Sequence, residues 1–414
     1  MSNFKIYYNQ MDTHEIVGIR VVDNDFYVNL PKMLPKKKEN VRLMIDVLEK
    51  FIRKNKDQKS IVKTNIEDGK NEGNLLIGSM FYLLDDFLDN GYYNPRGFSY
   101  VVDQGNNIDF KKTVQKFTPE IYHDELYFKN HIMKLKKVNE SDQLRNIHMY
   151  AVYKCHNILY FYYGDLDVVS IDDIGLSVEE VIYYLEEQKN LTYNDNKINL
   201  IENLISFYKG INNKNEIAYF LETSYFDKVW EEMLCTLVSN TPRENFYFKS
   251  KWIIDKEKGY KPKFNKESKL DFIRLLIDKQ KKHIHVMVMD AKYYFYDWET
   301  NLGRLPGTTD INKQIGYMYF AKKKIENIFK EYTKTYHNSF LLPYNEKIEG
   351  SITGVFGIAT TEMDESEEIL GVYVDIEMVM KQYVSPNKLS LLLSELDDCI
   401  LEKKSFKGRV MVEC

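Results

Sequence analysis

Two apolar stretches joined by four polar residues constrain this chain more than any other feature. They are KLDFIRLLID (269–278) and HIHVMVMDAKYY (283–294), with Lys279-Gln280-Lys281-Lys282 between them. Their large and β-branched side chains predict a strand pair. If the four residues form the loop, Asp278 lies opposite His283 and Asp271 lies opposite Asp290. Directly opposed residues have Cβ atoms about 4.5–5.5 Å apart, and like charges there repel. A divalent cation taking oxygen ligands from both carboxylates is the natural occupant of such a pair. Period-2 alternation puts Ile284, Val286, Val288, Asp290 and Lys292 on one face, with Asp290 and Lys292 about 7 Å apart along it. A lysine beside a cation-bound water can orient or deprotonate it. A one-residue slip in register would undo the arrangement.

The flanking segments have helical periodicity. Residues 223–238 predict a helix with an apolar stripe of Phe226, Trp230, Met233 and Leu237. Glu231 flanks the stripe, where it can add a metal ligand or hold a water. Ser224 to Asp227 resembles a capping box. Residues 310–331 predict a second helix. There Ile311, Ile315 and Met318 face a core, while Lys313, Gln314 and Tyr317 share a face that could hold a DNA backbone phosphate.

The order is a helix glutamate, a strand aspartate, Asp-x-Lys on the next strand, then a helix with glutamine. It resembles the PD-(D/E)XK nuclease superfamily. Within it, the chain resembles the LlaJI-type restriction endonucleases and related McrC-like nuclease subunits. FDKVWEEML (226–234), MDAKYY (289–294) and DINKQIGYMY (310–319) carry the likeness; GNNIDFKKTVQKFTP (105–119) adds a short, less specific one. The resemblance implies an α/β fold: a C-terminal restriction-endonuclease-like core, a mixed sheet flanked by helices, behind an N-terminal α+β domain. It implies catalytic roles for Glu231, Asp271, Asp290 and Lys292, with Glu231, Asp271 and Asp290 as metal ligands. Gln314, Lys313 and Tyr317 become the DNA contacts. Leu270 stands where the family pattern often has proline, and Asp278 is a rival for the role of Asp271, although closer to the turn.

The implied activity is that of a Mg2+-dependent DNA endonuclease of a restriction or phage-defence system, with Mn2+ able to substitute. Water attacks the phosphodiester in line, leaving 5′-phosphate and 3′-hydroxyl ends. The alternative is a DNA-binding or scaffolding subunit of a multi-subunit restriction complex. No GxxxxGK[ST] occurs, so any NTP hydrolysis would come from another chain. RNA is a further substrate open to the same chemistry. Double-strand cleavage needs two active sites or sequential nicks, so a homodimer or a partner restriction subunit is an expectation beside double-stranded DNA.

The rest of the chain fits these expectations. Helical spacing at 40–54, 75–89, 147–163, 177–188 and 196–209, with strands in HEIVGIRVV, FYVNL and FSYVVD, makes up the N-terminal domain. FSYVVD is read as entering a hairpin at Gln104-Gly105-Asn106-Asn107. The polar break after Gly210 puts the domain boundary near 215, giving 1–215 for DNA recognition or partner contact and 216–414 for the nuclease. Net charge is −5, but residues 241–286 hold 13 Lys/Arg against 6 Asp/Glu. A basic surface beside a carboxylate site suits a phosphodiester substrate. The four cysteines are far apart and form no CxxC pair. With no signal-like N-terminus and no long apolar run, a reducing cytoplasm and no membrane are expected.

Overall fold

A computed structural model describes residues 6–8, 16–22, 25–55, 61–64, 76–94, 97–103, 108–122, 125–137, 142–211, 218–252, 263–264, 267–294, 305–345, 352–362, 364–386 and 390–404. The chain divides into two compact units. One comprises Met1–Gly69 and Ala218–Cys414; the other is Lys70–Ile217. The boundary expected near 215 falls among residues 212–217, outside the described residues. The structure differs in placing the first 69 residues with the C-terminal part. The cause is a strand pairing across the whole intervening unit.

The first leg supplies β1 (Ile6–Tyr8), β2 (Val17–Val22), β3 (Asp25–Asn29), α1 (Lys38–Lys54) and β4 (Val62–Thr64). The intervening unit follows with α2 (Leu76–Asn90), β5 (Gly97–Asp103), α3 (Phe110–Lys116), β6 (Glu120–Tyr122), β7 (Glu125–Tyr127), β8 (His131–Lys137), α4 (Gln143–Tyr163), α5 (Val178–Asn190) and α6 (Asp195–Ile211). Here α2, α4 and α6 pack together, and α6 runs through Gly210, where a Cβ would lie 2.6 Å from Leu76. The sequence suggested a hairpin after FSYVVD, and residues 104–107 lie outside the described residues. The partner of β5 is β8, with α3 between them. Thr113 ties α3 to β8: its hydroxyl donates to Asp109 O and accepts from Ile132 N. That is a structural use for the threonine in the 105–119 segment.

On return, β9 (Ala218–Thr223) enters the first sheet, whose order is β1-β3-β2-β9-β4. Gly18 on β2 has φ +149, and a Cβ there would sit 2.2 Å from Leu221 O. Only glycine allows that approach. Arg20 on β2 clasps Glu222 on β9 at 2.8 Å.

The second sheet carries the interest. Its elements are α7 (Phe226–Val238), the short ribbon β10 (Lys251–Trp252) and β11 (Lys263–Phe264), β12 (Phe272–Asp278), β13 (His283–Ala291), α8 (Thr308–Ile328), β14 (Thr333–Tyr344), β15 (Thr353–Thr361), β16 (Asp364–Asp375), α9 (Ile376–Val384) and α10 (Ser390–Glu402). The order β12-β13-β14-β16-β15 makes a mixed five-stranded sheet; β13, β14 and β16 are parallel and both outer strands antiparallel. Ile284, Val286 and Val288 pack under Tyr317, Met318, Ala321 and Ile325 of α8. Arg274 alternates to the other face and meets Asp397 of α10 at 2.8 Å. Among the described residues, no helix is long and apolar enough to cross a membrane. Cys155, Cys235 and Cys399 are free thiols; Cys414 lies outside the described residues.

Candidate active site

The hairpin register is the one the loop length predicts: Phe272 pairs with Met289 and Asp278 with His283, which puts Asp271 opposite Asp290. Asp278 is used by the turn, its Oδ1 accepting from the backbone of Gln280 and Lys281. These bonds hold its carboxyl below the ordinary value. Asp271 is therefore the carboxylate at the site. Its Oδ2 accepts from Ala291 N at 2.9 Å, which locks it across the end of β13.

Pairing to β14 continues one residue beyond β13, with Lys292 N bonded to Leu341 O at 3.0 Å. That keeps Asp290 and Lys292 on one face. Asp290 is 2% exposed and Lys292 9%. The lysine Nζ lies 2.8 Å from Asp290 Oδ2, but out of line for a hydrogen bond, so this buried oxygen has an ion-pair partner and no aligned donor. A second carboxylate grips the same ammonium: Asp310 Oδ1, in the first turn of α8, is also 2.8 Å from Nζ. Burial works against the charge on Lys292, yet Asp290 and Asp310 outweigh it and hold the ammonium well above the ordinary lysine value. In this geometry the Lys292 ammonium donates to Asp310.

Asp271 is shifted upward too, but for a carboxyl that disfavours the charged form. Burial first, then the charges of Asp290 and Glu231, push its carboxyl up to about 7, against the Ala291 hydrogen bond and Lys313. Burial and neighbouring negative charge both disfavour the Asp271 carboxylate, and added positive charge beside it would relieve that.

Helix α7 reaches the site by burying Phe226, Val229, Trp230, Met233, Leu234 and Leu237. The Trp230 indole donates to Leu341 O, the carbonyl that also holds Lys292 N. The capping box does not form. Tyr225 is the N-cap without a side-chain bond, and Thr223 Oγ1 accepts from Tyr225 N instead. Glu231 points to the rim, where it meets Lys228 and Arg243, each at 3.2 Å. Arg243 also donates to Asp271 O at 2.9 Å.

The three expected DNA contacts on α8 divide. Lys313 is half-exposed, with Nζ 3.8 Å from Asp290 Oδ1. Gln314 and Tyr317 are corrections, being 1% and 3% exposed. The Gln314 amide donates to Val288 O at 3.2 Å and Asn338 Oδ1 at 2.7 Å, cross-linking α8 to β13 and β14. The Tyr317 ring packs against Phe248 in the core. The apolar stripe of α8 is wider than Ile311, Ile315 and Met318, and it takes both residues inward.

Sequence reasoning passed over Asp310 and Arg243. Asp310 opens DINKQIGYMY but looks like an ordinary acidic residue in a helix first turn, where the dipole favours it. Arg243 carries no local signal.

Among the described residues, no group of three or more acidic, histidine or cysteine side chains is close enough to hold a metal ion. Asp271 and Asp290 come together and Glu231 stands off. Mg2+ keeps several waters and takes one or two carboxylates from protein. A facing pair, one member holding a buried oxygen without an aligned donor, fits that requirement.

The family model of the LlaJI restriction endonuclease matches residues 16–377. The chain belongs to this family. A relative from Bacillus subtilis (strain 168), the type II restriction enzyme BsuMI component YdjA, is 25% identical over 327 residues, covering 72% of this chain and 64% of the relative. The chain thus spans less than two thirds of that protein. Among solved structures, the half-complex of Thermococcus gammatolerans McrB AAA+ hexamers with bound McrC is 14% identical, covers 91% of this chain and 83% of that one, and has a TM-score of 0.32. The McrBC complex of the same organism is 14% identical over 53% of this chain and 64% of that one, with a TM-score of 0.21. Likeness at these scores carries no argument here.

Proposed function

We propose that the chain is a Mg2+-dependent DNA endonuclease of a restriction system, with a site of the PD-(D/E)XK type. One observation carries the reading: Asp271 faces the buried Asp290–Lys292 pair across a hairpin, at the carboxyl end of β13. Buried charges of this kind are costly to a fold and mark functional sites. When bound, Mg2+ supplies positive charge to the developing phosphorane and acidifies a water. Asp271 and Asp290 hold the ion, and Mn2+ can substitute. Lys292 donates to the attacking water and fixes its line of approach. Lys313 neutralises phosphate at the rim, and Arg243 holds Glu231 and the Asp271 backbone in place. Gln314 keeps α8 seated on the strands. The inserted unit, 70–217, reads DNA or meets a partner.

The test is cleavage of methylated and unmethylated double-stranded DNA with Mg2+, comparing wild type with Asp290→Ala and Lys292→Ala. Wild-type cleavage, lost in both variants with folding intact by circular dichroism, supports the reading. Cleavage that survives both would sink it.

A second reading has an observation of its own. The Bacillus subtilis relative is described as a component of a restriction enzyme. We infer that this chain also works beside other subunits. On that reading it is inert on DNA alone, and cleavage appears when the products of neighbouring genes are added.

A further inference from the structure

We propose that Asp310 is a positioning residue that draws Lys292 away from Asp290, so that Asp290 can accept a divalent cation. The inference rests on the metal reading above. Lys292 sits between two carboxylates at equal distance, 2.8 Å from Asp290 Oδ2 and 2.8 Å from Asp310 Oδ1. The ammonium has three N–H donors and can touch both, so what separates the two contacts is their alignment. The Asp290 contact is out of line for a hydrogen bond, whereas the Asp310 contact is an aligned one.

The two carboxylates differ in what else holds them. Asp290 is almost wholly buried at the strand end, beside Asp271. Asp310 is partly exposed on α8, with its Oδ2 reached by the Tyr294 hydroxyl at 3.4 Å. Asp310 is thus fixed outside the carboxylate pair and can keep the ammonium there. A cation arriving between Asp271 and Asp290 displaces Lys292 from Asp290 alone. The lysine is left on Asp310, still beside the site and still a donor. Without Asp310, the one carboxylate left in contact with Lys292 among the described residues is the one the cation needs.

The measurement is Mn2+ binding to the whole protein without DNA, followed by electron paramagnetic resonance. The variants are Asp310→Asn, Lys292→Met and the double variant, with thermal unfolding as a control for folding. Asp310→Asn is expected to weaken Mn2+ binding roughly tenfold, the size of coupling found within one ion-pair network. In the Lys292→Met background the same substitution is expected to do almost nothing. Asp310→Glu restores binding towards wild type. Equal weakening in both backgrounds would mean that Asp310 acts only through its general charge, and would overturn the proposal. So would no weakening in either. Folded wild type that binds no Mn2+ would instead overturn the metal reading, and the proposal with it. The single-background results leave that reading standing.

Discussion

The two ends of β13 hold titratable groups in opposite ways. At the amino end, His283, His285 and His337 line up across β13 and β14. His283 bonds Thr333 at 2.7 Å and Thr335 at 3.1 Å, and His285 bonds His337 at 3.2 Å. Each ring nitrogen so used has a neutral partner on the neighbouring strand. At the carboxyl end, Asp290 and Asp310 flank Lys292, while Asp271 faces Asp290 and is forced up to about 7. One end satisfies its polar groups and helps the sheet. The other leaves charge unevenly met, as the proposed metal site requires.

That contrast can be broken by substitution. Asp290→Asn is expected to lower DNA cleavage on the order of a thousandfold, the usual scale for losing a group that supports the transition-state charge. His285→Gln should leave the rate within about twofold in the same assay, because it touches only the quiet end. If the two losses are similar, the division of labour along β13 is mistaken.

Gln314→Ala sharpens the comparison by separating support from chemistry. It deletes the cross-link to Val288 and Asn338 and removes the donor to the buried Asn338 Oδ1, at about 3 kcal/mol in urea unfolding. The cleavage rate of the folded fraction should change far less than with Asp290→Asn.

The quiet end should show in pH. His337 is lowered to about 4, first by burial and then by His285, Lys403 and His283. A base lowered in the folded state adds stability above its ordinary value of 6.5, and that stability is lost as pH falls towards 4. Allowing for partial exposure, about 1 kcal/mol is expected to vanish over that window. His337→Gln should flatten the dependence in chemical denaturation at stepped pH; an unchanged slope would place it elsewhere. The smallest effect belongs to His283→Ala, expected within about 0.5 kcal/mol of wild type by the same method.

Much of the hairpin was readable in the sequence because its physics is local. A four-residue loop and period-2 alternation set the register, and with it the meeting of Asp271 and Asp290. Asp310 was not readable, since its partner Lys292 is reached only when α8 packs back over the strand. Gln314 misled for a related reason: periodicity shows which residues share a helix face, while the width of the core decides how many of them turn inward. The pairing of β2 with β9 was the least legible, because no local pattern announces a partner some 200 residues away.

That pairing bears on how the protein is made. As the chain leaves the ribosome, β2 and β3 emerge long before β9. At about 5–20 residues per second, the intervening unit takes roughly seven to thirty seconds to synthesise. Through that interval the first sheet lacks β9, and β2 presents an unpaired edge to its surroundings. The inserted unit can meanwhile complete its own core, whose contacts are internal. Translation speed across 70–217 therefore sets how long a half-built sheet is open to aggregation, and slow codons there would lower the yield of native protein without altering a single residue.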